Sequence, residues 1–179
     1  MDYSPGLRGV IAGETQISTV GMEGTSLRYR GYDAVGLTNT NTYEDVASLI
    51  IDDDLDGELF KKSFSNHYKK LSEDSGLIEL INRLKTEQHP MDVTRTAISY
   101  IGEANESNKL DAASKVTAIA CLAIASYNKE LSDVLDQKYT VASSLLPNSS
   151  TQQQLEALDD MLILYAEHGF NASTFAARV

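Results

Sequence analysis

The sequence predicts a mainly α-helical fold with one small β-hairpin near its start, and three observations carry that prediction. From about residue 42 onward, apolar residues recur at three- and four-residue spacing, the period of a helix with one buried face. Capping signals and a proline stand where those runs begin. Residues with strand preference gather in one stretch, 16–33, which is split by glycines. A chain of 179 residues suffices for one domain with a substantial core. No repeat, low-complexity tract or interdomain linker divides it, so residues 1–179 read as a single unit.

The elements follow in order. In the hairpin, about 16–33 (QISTVGMEGTSLRYRGYD), Ile17 and Val20 flank a turn over Gly21–Gly24, and Leu27, Tyr29 and Tyr32 follow. Thr42 with Asp45 makes a capping box for a helix running through Ile51. Leu59, Phe60, Phe64 and Leu71 mark one amphipathic helix, and Leu77, Leu80, Ile81 and Leu84 a second. Pro90 suits a first helical position, with Val93, Ala97, Ile98 and Ile101 as the buried stripe behind it. The segment Val116 to Tyr127 is alanine-rich and apolar nearly all round, so it must be covered on every side, by its own domain or by a second subunit. A short helix is expected over 131–146, ending near Pro147. Ser150 with Gln153 then reads as another capping box, opening a long helix 151–168.

Charge and composition exclude several classes. A net charge of −11, with no cluster of Lys or Arg beyond a pair, argues against nucleic acid. An acidic surface also repels anions, so an anion site must be a local basic pocket. The longest apolar run, Val116 to Ala125, is too short to span a bilayer and is interrupted by Thr117. The start, MDYSPGLRG, has neither the basic nor the apolar region of a signal peptide, which predicts a cytoplasmic protein. Without a secretion signal, the glycosylation-type triplets at Asn105, Asn148 and Asn171 carry no weight. Cys121 is a single cysteine in the most apolar segment and reads as a buried, inert thiol.

Few residues announce chemistry by themselves. His168 follows Met161, Leu162, Leu164 and Tyr165 and precedes Gly169, a candidate C-cap; the helix dipole alone favours a histidine there. Ser173 and Thr174 lie close by, but such residues cap helices constantly. His89, before Pro90, suits a helix start, and His67 sits on a Lys-rich face and reads as solvated. The three histidines lack the spacing of a metal site. In DDDLDG (52–57), Asp52, Asp54, Asp56 and Gly57 match the opening of a calcium loop. Its twelfth position is Ser63 where a bidentate Glu is required, so an ordinary solvated loop is the better reading.

Five separated segments, taken together, resemble the citrate synthase family, and most closely its 2-methylcitrate synthase branch. They are GLRGVIAGETQIS (6–18), LRYRGYD (27–33), YEDVASLI (43–50), HPMDVTRTAIS (89–99) and YAEHGFNASTFAARV (165–179). Their order and approximate spacing match as well. The resemblance implies the first half of that family's large helical domain, the second half being absent. It further implies that His168 and Asn171 contact oxaloacetate, since the matching family residues do. The family condenses acetyl-CoA or propionyl-CoA with oxaloacetate. The aspartate, the two further histidines and the arginines that perform that chemistry, like the coenzyme A segment, belong to the second half.

No catalytic residue, no metal and no cofactor is therefore expected here, acyl-CoA being a co-substrate whose binding segment is missing. The chain is predicted inactive alone, with weak oxaloacetate binding and either a homodimer or a complementary second-half polypeptide as partner. The alternative is a non-catalytic helical dimerisation or interaction protein derived from the family. Two stretches depart from the family pattern: DDDLDGEL replaces a short glycine-containing turn, and 139–150 is shorter than expected.

Overall fold

The computed structural model describes residues 13–21, 26–102, 108–128 and 139–178. Three two-residue strands, β1 (Ser18–Thr19), β2 (Arg28–Tyr29) and β3 (Tyr32–Asp33), form an antiparallel sheet in the order β1-β2-β3. The expected hairpin is thus a three-stranded meander. Of its predicted turn, Gly21 adopts a left-handed φ of 62°, while residues 22–25 lie outside the described residues. The tighter turn is Arg30–Gly31, with φ of 45° and 90°, joining β2 to β3. Two consecutive positive φ values are what a two-residue hairpin requires.

Helices follow. The first, α1 (Ala34–Thr38), was not legible in the apolar spacing; Asp33 caps it by accepting from the Gly36 amide at 2.8 Å. Next come α2 (Tyr43–Asp52), α3 (Glu58–Ser72), α4 (Ser75–Leu84), α5 (Pro90–Tyr100) and α6 (Lys109–Ala125), then α7 (Val141–Leu145), α8 (Gln152–Leu164) and α9 (Ala172–Arg178). The Thr42–Asp45 capping box is formed as expected. Its counterpart before α8 lies one residue later than expected, between Thr151 and Gln154. The sequence offers both Ser150 and Thr151 with a glutamine three residues on, and spacing alone could not choose. Of the helix expected over 131–146, residues 129–138 lie outside the described residues; the described part is α7, capped by Thr140 with Ser143.

The core centres on α3 and α6, which make the most extensive helix contact, with α5, α7 and α2 also packed on α6. Phe60, Phe64, Tyr68 and Leu71 form the buried stripe of α3. Tyr68, which the spacing argument left out, completes it, whereas Leu59 is 71% exposed and belongs to the outer face. Val93 and Ala97 of α5 are buried as expected, along with Thr94, whose hydroxyl donates back to the Pro90 carbonyl at 2.9 Å. Cys121 is buried. In α6, Ala118, Ile119, Cys121, Leu122, Ala123 and Ala125 are covered by the same chain, while Val116 and Ala120 are half-buried and Ile124 and, just beyond the helix, Tyr127 are exposed. Much of the all-round apolar character of this helix is therefore satisfied within the chain, by α3, α5, α7 and α2.

A second, smaller core joins the sheet to α1, α2 and α8. Tyr29 is fully buried there, and its hydroxyl donates to the Ile163 carbonyl at 2.7 Å. Burial raises the pKa of this phenol above its ordinary value, so it stays a donor. Beside it the Arg30 guanidinium donates to the Leu49 and Ile50 carbonyls at 2.8 and 3.0 Å, closing the C-terminus of α2, where a cation suits the dipole. The LRYRGYD segment is accordingly architectural: Tyr29 for the core, Arg30 for a helix end, Gly31 for the turn, Asp33 for a helix start. Among the described residues, no helix is long and apolar enough to cross a membrane.

Candidate functional site

The segment that joins α8 to α9 carries both predicted site residues. Helix α8 stops at Leu164, with Tyr165 as its cap, rather than running to 168. His168 therefore lies in the connection, not on a helix end, and its position owes nothing to a dipole at α8. The chain turns through Gly169 (φ 73°) and Phe170 (φ 24°) into Asn171. That reversal is held from below: a Cβ on Gly169 would approach Ser18 Oγ to 3.3 Å, and one on Gly13 would approach the Phe170 ring to 3.2 Å. The start of the described chain and the 168–171 turn thus pack directly on each other.

This turn brings His168 and Asn171 together, with Nδ2 of the asparagine 3.1 Å from Nε2 of the histidine. Asn171 Oδ1 accepts from the amides of Ser173 at 2.9 Å and Thr174 at 3.3 Å. With its oxygen engaged at the start of α9, the amide group has its orientation fixed, and its NH2 faces the imidazole. An amide NH2 only donates, so in this contact Nε2 is the acceptor. Two of the first amides of α9 are thereby taken by Asn171 and are not open to an anion. Ser173 and Thr174 take part through these backbone amides.

Two neighbours of the site were missed in the sequence. Glu167 Oε1 accepts from the amides of His168 and Gly169 at 2.8 and 2.7 Å, which places a carboxylate on the backbone of the turn. Ser18 is 7% exposed, and its buried Oγ has no hydrogen-bond partner among the described residues. Nothing in local sequence could tie Ser18 to this turn, because the fold alone brings it against Gly169. The signal lies in the orphaned hydroxyl, since buried polar groups are nearly always paired. Among the described residues no lysine or arginine bonds to His168 or Asn171.

The other candidates find structural places. His89 is the N-cap of α5, its Nδ1 accepting from the Met91 amide at 3.2 Å. His67 is not solvated as expected: it is half-buried, and its Nε2 lies 2.9 Å from Asp111 Oδ1 across the α3–α6 contact. The same carboxylate oxygen accepts from Ser63, whose hydroxyl in turn accepts from Ser114 at 2.7 Å. The Ser63 and His67 hydrogen bonds hold the Asp111 carboxyl below the usual carboxylate range. Asp52, Asp54 and Asp56 are exposed, and Asp56 caps the start of α3 through the Glu58 amide at 3.0 Å. Among the described residues, no group of three or more His, Cys, Asp and Glu side chains is placed to hold a metal ion.

Comparison with known proteins places this geometry in a family. The family model described as citrate synthase, C-terminal domain, matches residues 6–179. The 2-methylcitrate synthase of Shewanella oneidensis is 38% identical, over 97% of this chain and 50% of its own length. The 2-methylcitrate synthase 2 of Corynebacterium glutamicum is 35% identical, over 99% of this chain and 52% of its own. The chain spans about half the length of these curated relatives. Among solved structures, the citrate synthase of Thermoplasma acidophilum, in ternary complex with carboxymethyl coenzyme A and oxaloacetate, aligns with a TM-score of 0.77 at 19% identity. It covers 97% of this chain and 50% of that one. The citrate synthase of Thermotoga maritima aligns with a TM-score of 0.76 at 22% identity, over 97% of this chain and 49% of that one. These structures agree in fold along nearly the whole chain, and the sequence relatives agree in family: the protein belongs to the citrate synthase family.

Proposed function

We propose that this chain supplies the oxaloacetate side of a citrate or 2-methylcitrate synthase-type site, with His168 and Asn171 as the residues that meet the substrate. The 3.1 Å approach of the Asn171 NH2 to the His168 imidazole is the observation that carries the reading. A 2-oxo dicarboxylate presents carbonyl and carboxylate oxygens, and an amide NH2 with an imidazole N–H are the donors such oxygens need. The Asn171 amide is oriented by its bonds to α9, and the NH2 hydrogen not given to His168 is left for a ligand oxygen.

The same surroundings limit affinity. The Glu167 carboxylate is bound to the backbone of this turn, and the net charge of −11 opposes an anion at longer range. Condensation of an acyl-CoA with oxaloacetate also needs a base to remove a proton and a donor for the forming enolate. Residues matching those roles lie outside this half, so we assign the reaction to this chain only together with the second half, on the same or another polypeptide.

Free CoA release measured with acetyl-CoA or propionyl-CoA and oxaloacetate tests the proposal. The 179-residue chain alone is expected to show no turnover, and calorimetry is expected to give an oxaloacetate Kd of about 1 mM or weaker, about 4 kcal/mol. The chain with a family second half is expected to turn over, and His168→Ala to suppress it. Turnover by the chain alone that His168→Ala abolishes, or micromolar oxaloacetate affinity, would refute the division of labour.

A second reading, a non-catalytic interaction protein, draws on the outer face of α8 and α9. Met161 is 57% exposed and Tyr165 85%, and Phe175 also faces out. Sedimentation equilibrium with H168A beside the parent chain separates the two: self-association indifferent to His168 and no ligand response in any assembly favours the interaction protein.

A further inference from the structure

We propose that Glu167 is a positioning residue of the candidate site: its carboxylate holds the strained turn 168–171 in the shape that makes His168 and Asn171 meet. Its effect on a ligand rests on the oxaloacetate reading of that pair; its effect on the pair itself does not.

Backbone amides around the turn are answered from three sources. Those of Tyr165 and Ala166 donate to the Met161 and Ile163 carbonyls at 3.1 and 3.2 Å, where α8 ends. Those of Ser173 and Thr174 donate to Asn171 Oδ1. Between them, no backbone carbonyl among the described residues accepts from His168 or Gly169. Glu167 Oε1 fills that gap by taking both amides, at 2.8 and 2.7 Å. Successive N–H groups turned to one side form an anion-binding concavity, and here the chain supplies the anion itself. Such charge-assisted bonds are roughly twice as strong as neutral ones.

A turn of this shape needs a clamp. Gly169 has φ 73° and Phe170 φ 24°, and a positive φ is uncommon for a residue that carries a Cβ. Strained backbone persists only where its surroundings over-determine it. On one side the Phe170 ring lies against Gly13 and Gly169 against Ser18, so the chain cannot relax that way without displacing them. Upstream, the Ile163 carbonyl is fixed by the buried Tyr29 hydroxyl at 2.7 Å. Downstream, Asn171 is tied to α9. Glu167 stands between these anchors, and its bonds set the peptide planes from which His168 departs. His168 is exposed, and its ring has one hydrogen-bond partner among the described residues, Asn171. The place of the imidazole is therefore set chiefly by the backbone that Glu167 holds.

The test uses the full 179-residue chain and the variants E167A, E167M and E167Q. Methionine keeps the stem without either oxygen, and glutamine keeps an acceptor without the charge. The NMR signals of the Asn171 side-chain NH2, which H168A should shift, report the contact. In E167A and E167M these signals are expected to move toward their H168A positions. The His168 and Gly169 amides should exchange about tenfold faster or more, with α6 unchanged. Oxaloacetate binding, followed by NMR titration, should weaken about fivefold or more in both variants. E167Q is expected to stay within about twofold of the parent in exchange and affinity, a rescue that a role resting on charge alone would not give. Unmoved Asn171 signals in E167A and E167M overturn the proposal. So does an equal effect of all three variants, which would assign Glu167 to charge, or tighter oxaloacetate binding in E167A and E167M, which would make its carboxylate a mere occupant of an anion site. Parental oxaloacetate affinity in H168A fails the oxaloacetate reading instead, and the Asn171 signals then still decide the role of Glu167.

Discussion

Replacing Gly57 with alanine tests how the acidic loop is anchored. Gly57 is buried where the chain crosses the first turn of α2, and its amide donates to Asp45 Oδ1 at 2.9 Å. A Cβ at this position would lie 2.5 Å from the Asp45 nitrogen, 2.5 Å from the Glu44 carbonyl carbon and 2.7 Å from Asp45 Oδ1. Two of those atoms are backbone inside a capped helix and cannot swing away, so the loop itself must lift. Overpacking of this kind costs about 1–3 kcal/mol. Lifting the loop also strains the charge-assisted bond from the Gly57 amide to Asp45, worth about 1.5–3 kcal/mol if lost. A loss of about 3 kcal/mol is expected, equivalent to about 6–12 °C in Tm for a domain of this size. Urea unfolding of G57A beside D54A measures it, since Asp54 is exposed in the same loop and its removal should change stability by about 0.5 kcal/mol or less. A G57A chain within 1 kcal/mol of the parent would refute the anchoring argument. A calcium-dependent difference between the parent and D54A would show that the loop binds an ion.

Three further outcomes are expected. Tyr29→Phe removes the buried bond to the Ile163 carbonyl, which also accepts from the Ala166 amide, so about 1 kcal/mol should be lost in urea unfolding rather than the cost of a fully orphaned acceptor. Asp159 sits high, at about 6, so the folded chain holds a proton that the unfolded chain has released between pH 4 and 6. Stability therefore falls as pH rises through that window and the penalty persists above it; D159N should be more stable than the parent by about 1–2 kcal/mol at pH 8, after discount for partial exposure, with the gain absent below pH 4. Asp111 has the opposite sign: its lowered carboxyl stabilises the fold above pH 4, so D111A should cost stability at pH 7 in chemical denaturation and lose that effect as the pH falls through the lowered folded-state value.

The sequence made most helices legible because their signals are local. The Thr42–Asp45 box, the His89–Pro90 start and the apolar stripes of α3 to α6 each lie within a few residues, and all are formed. What it could not reveal are pairings over long separations. His67 looked solvated because its own helix face carries lysines, while its partner Asp111 lies on α6. The cover of α6 was ambiguous for the same reason: periodicity shows that a helix is buried, not by what, and α3, α5, α7 and α2 turn out to supply it. At the candidate site, His168 and Asn171 stand three residues apart and their meeting was legible, whereas Ser18 and the engaged amides of α9 depend on the turn at Gly169 and Phe170.

With α6 covered, the least covered apolar surface near the candidate site lies elsewhere, and it coincides with that site. Ala172 to Ala177 of α9 are all exposed, and Phe175 lies edge-on against Phe170, with ring centroids 6.1 Å apart. Met161, Leu164 and Tyr165 extend the same apolar character along the end of α8. A seven-residue helix falls well short of the roughly 12–15 residues at which an isolated helix becomes marginally stable in water. Among the described residues, the Asn171 cap and the Phe170–Phe175 contact tie it to the rest of the fold. Amides of α9 are expected to exchange with solvent orders of magnitude faster than those of α6 in the chain alone, because local opening there exposes little new apolar surface. Since Asn171 Oδ1 binds the amides of Ser173 and Thr174, fraying of α9 also releases the Asn171 side chain that faces His168. Covering this face and ordering the His168–Asn171 pair are then one event. A second copy or a complementary half that docks on Met161, Tyr165 and Phe175 should slow exchange in α9 and strengthen oxaloacetate binding together. Protection of α9 without any gain in ligand affinity would break that link.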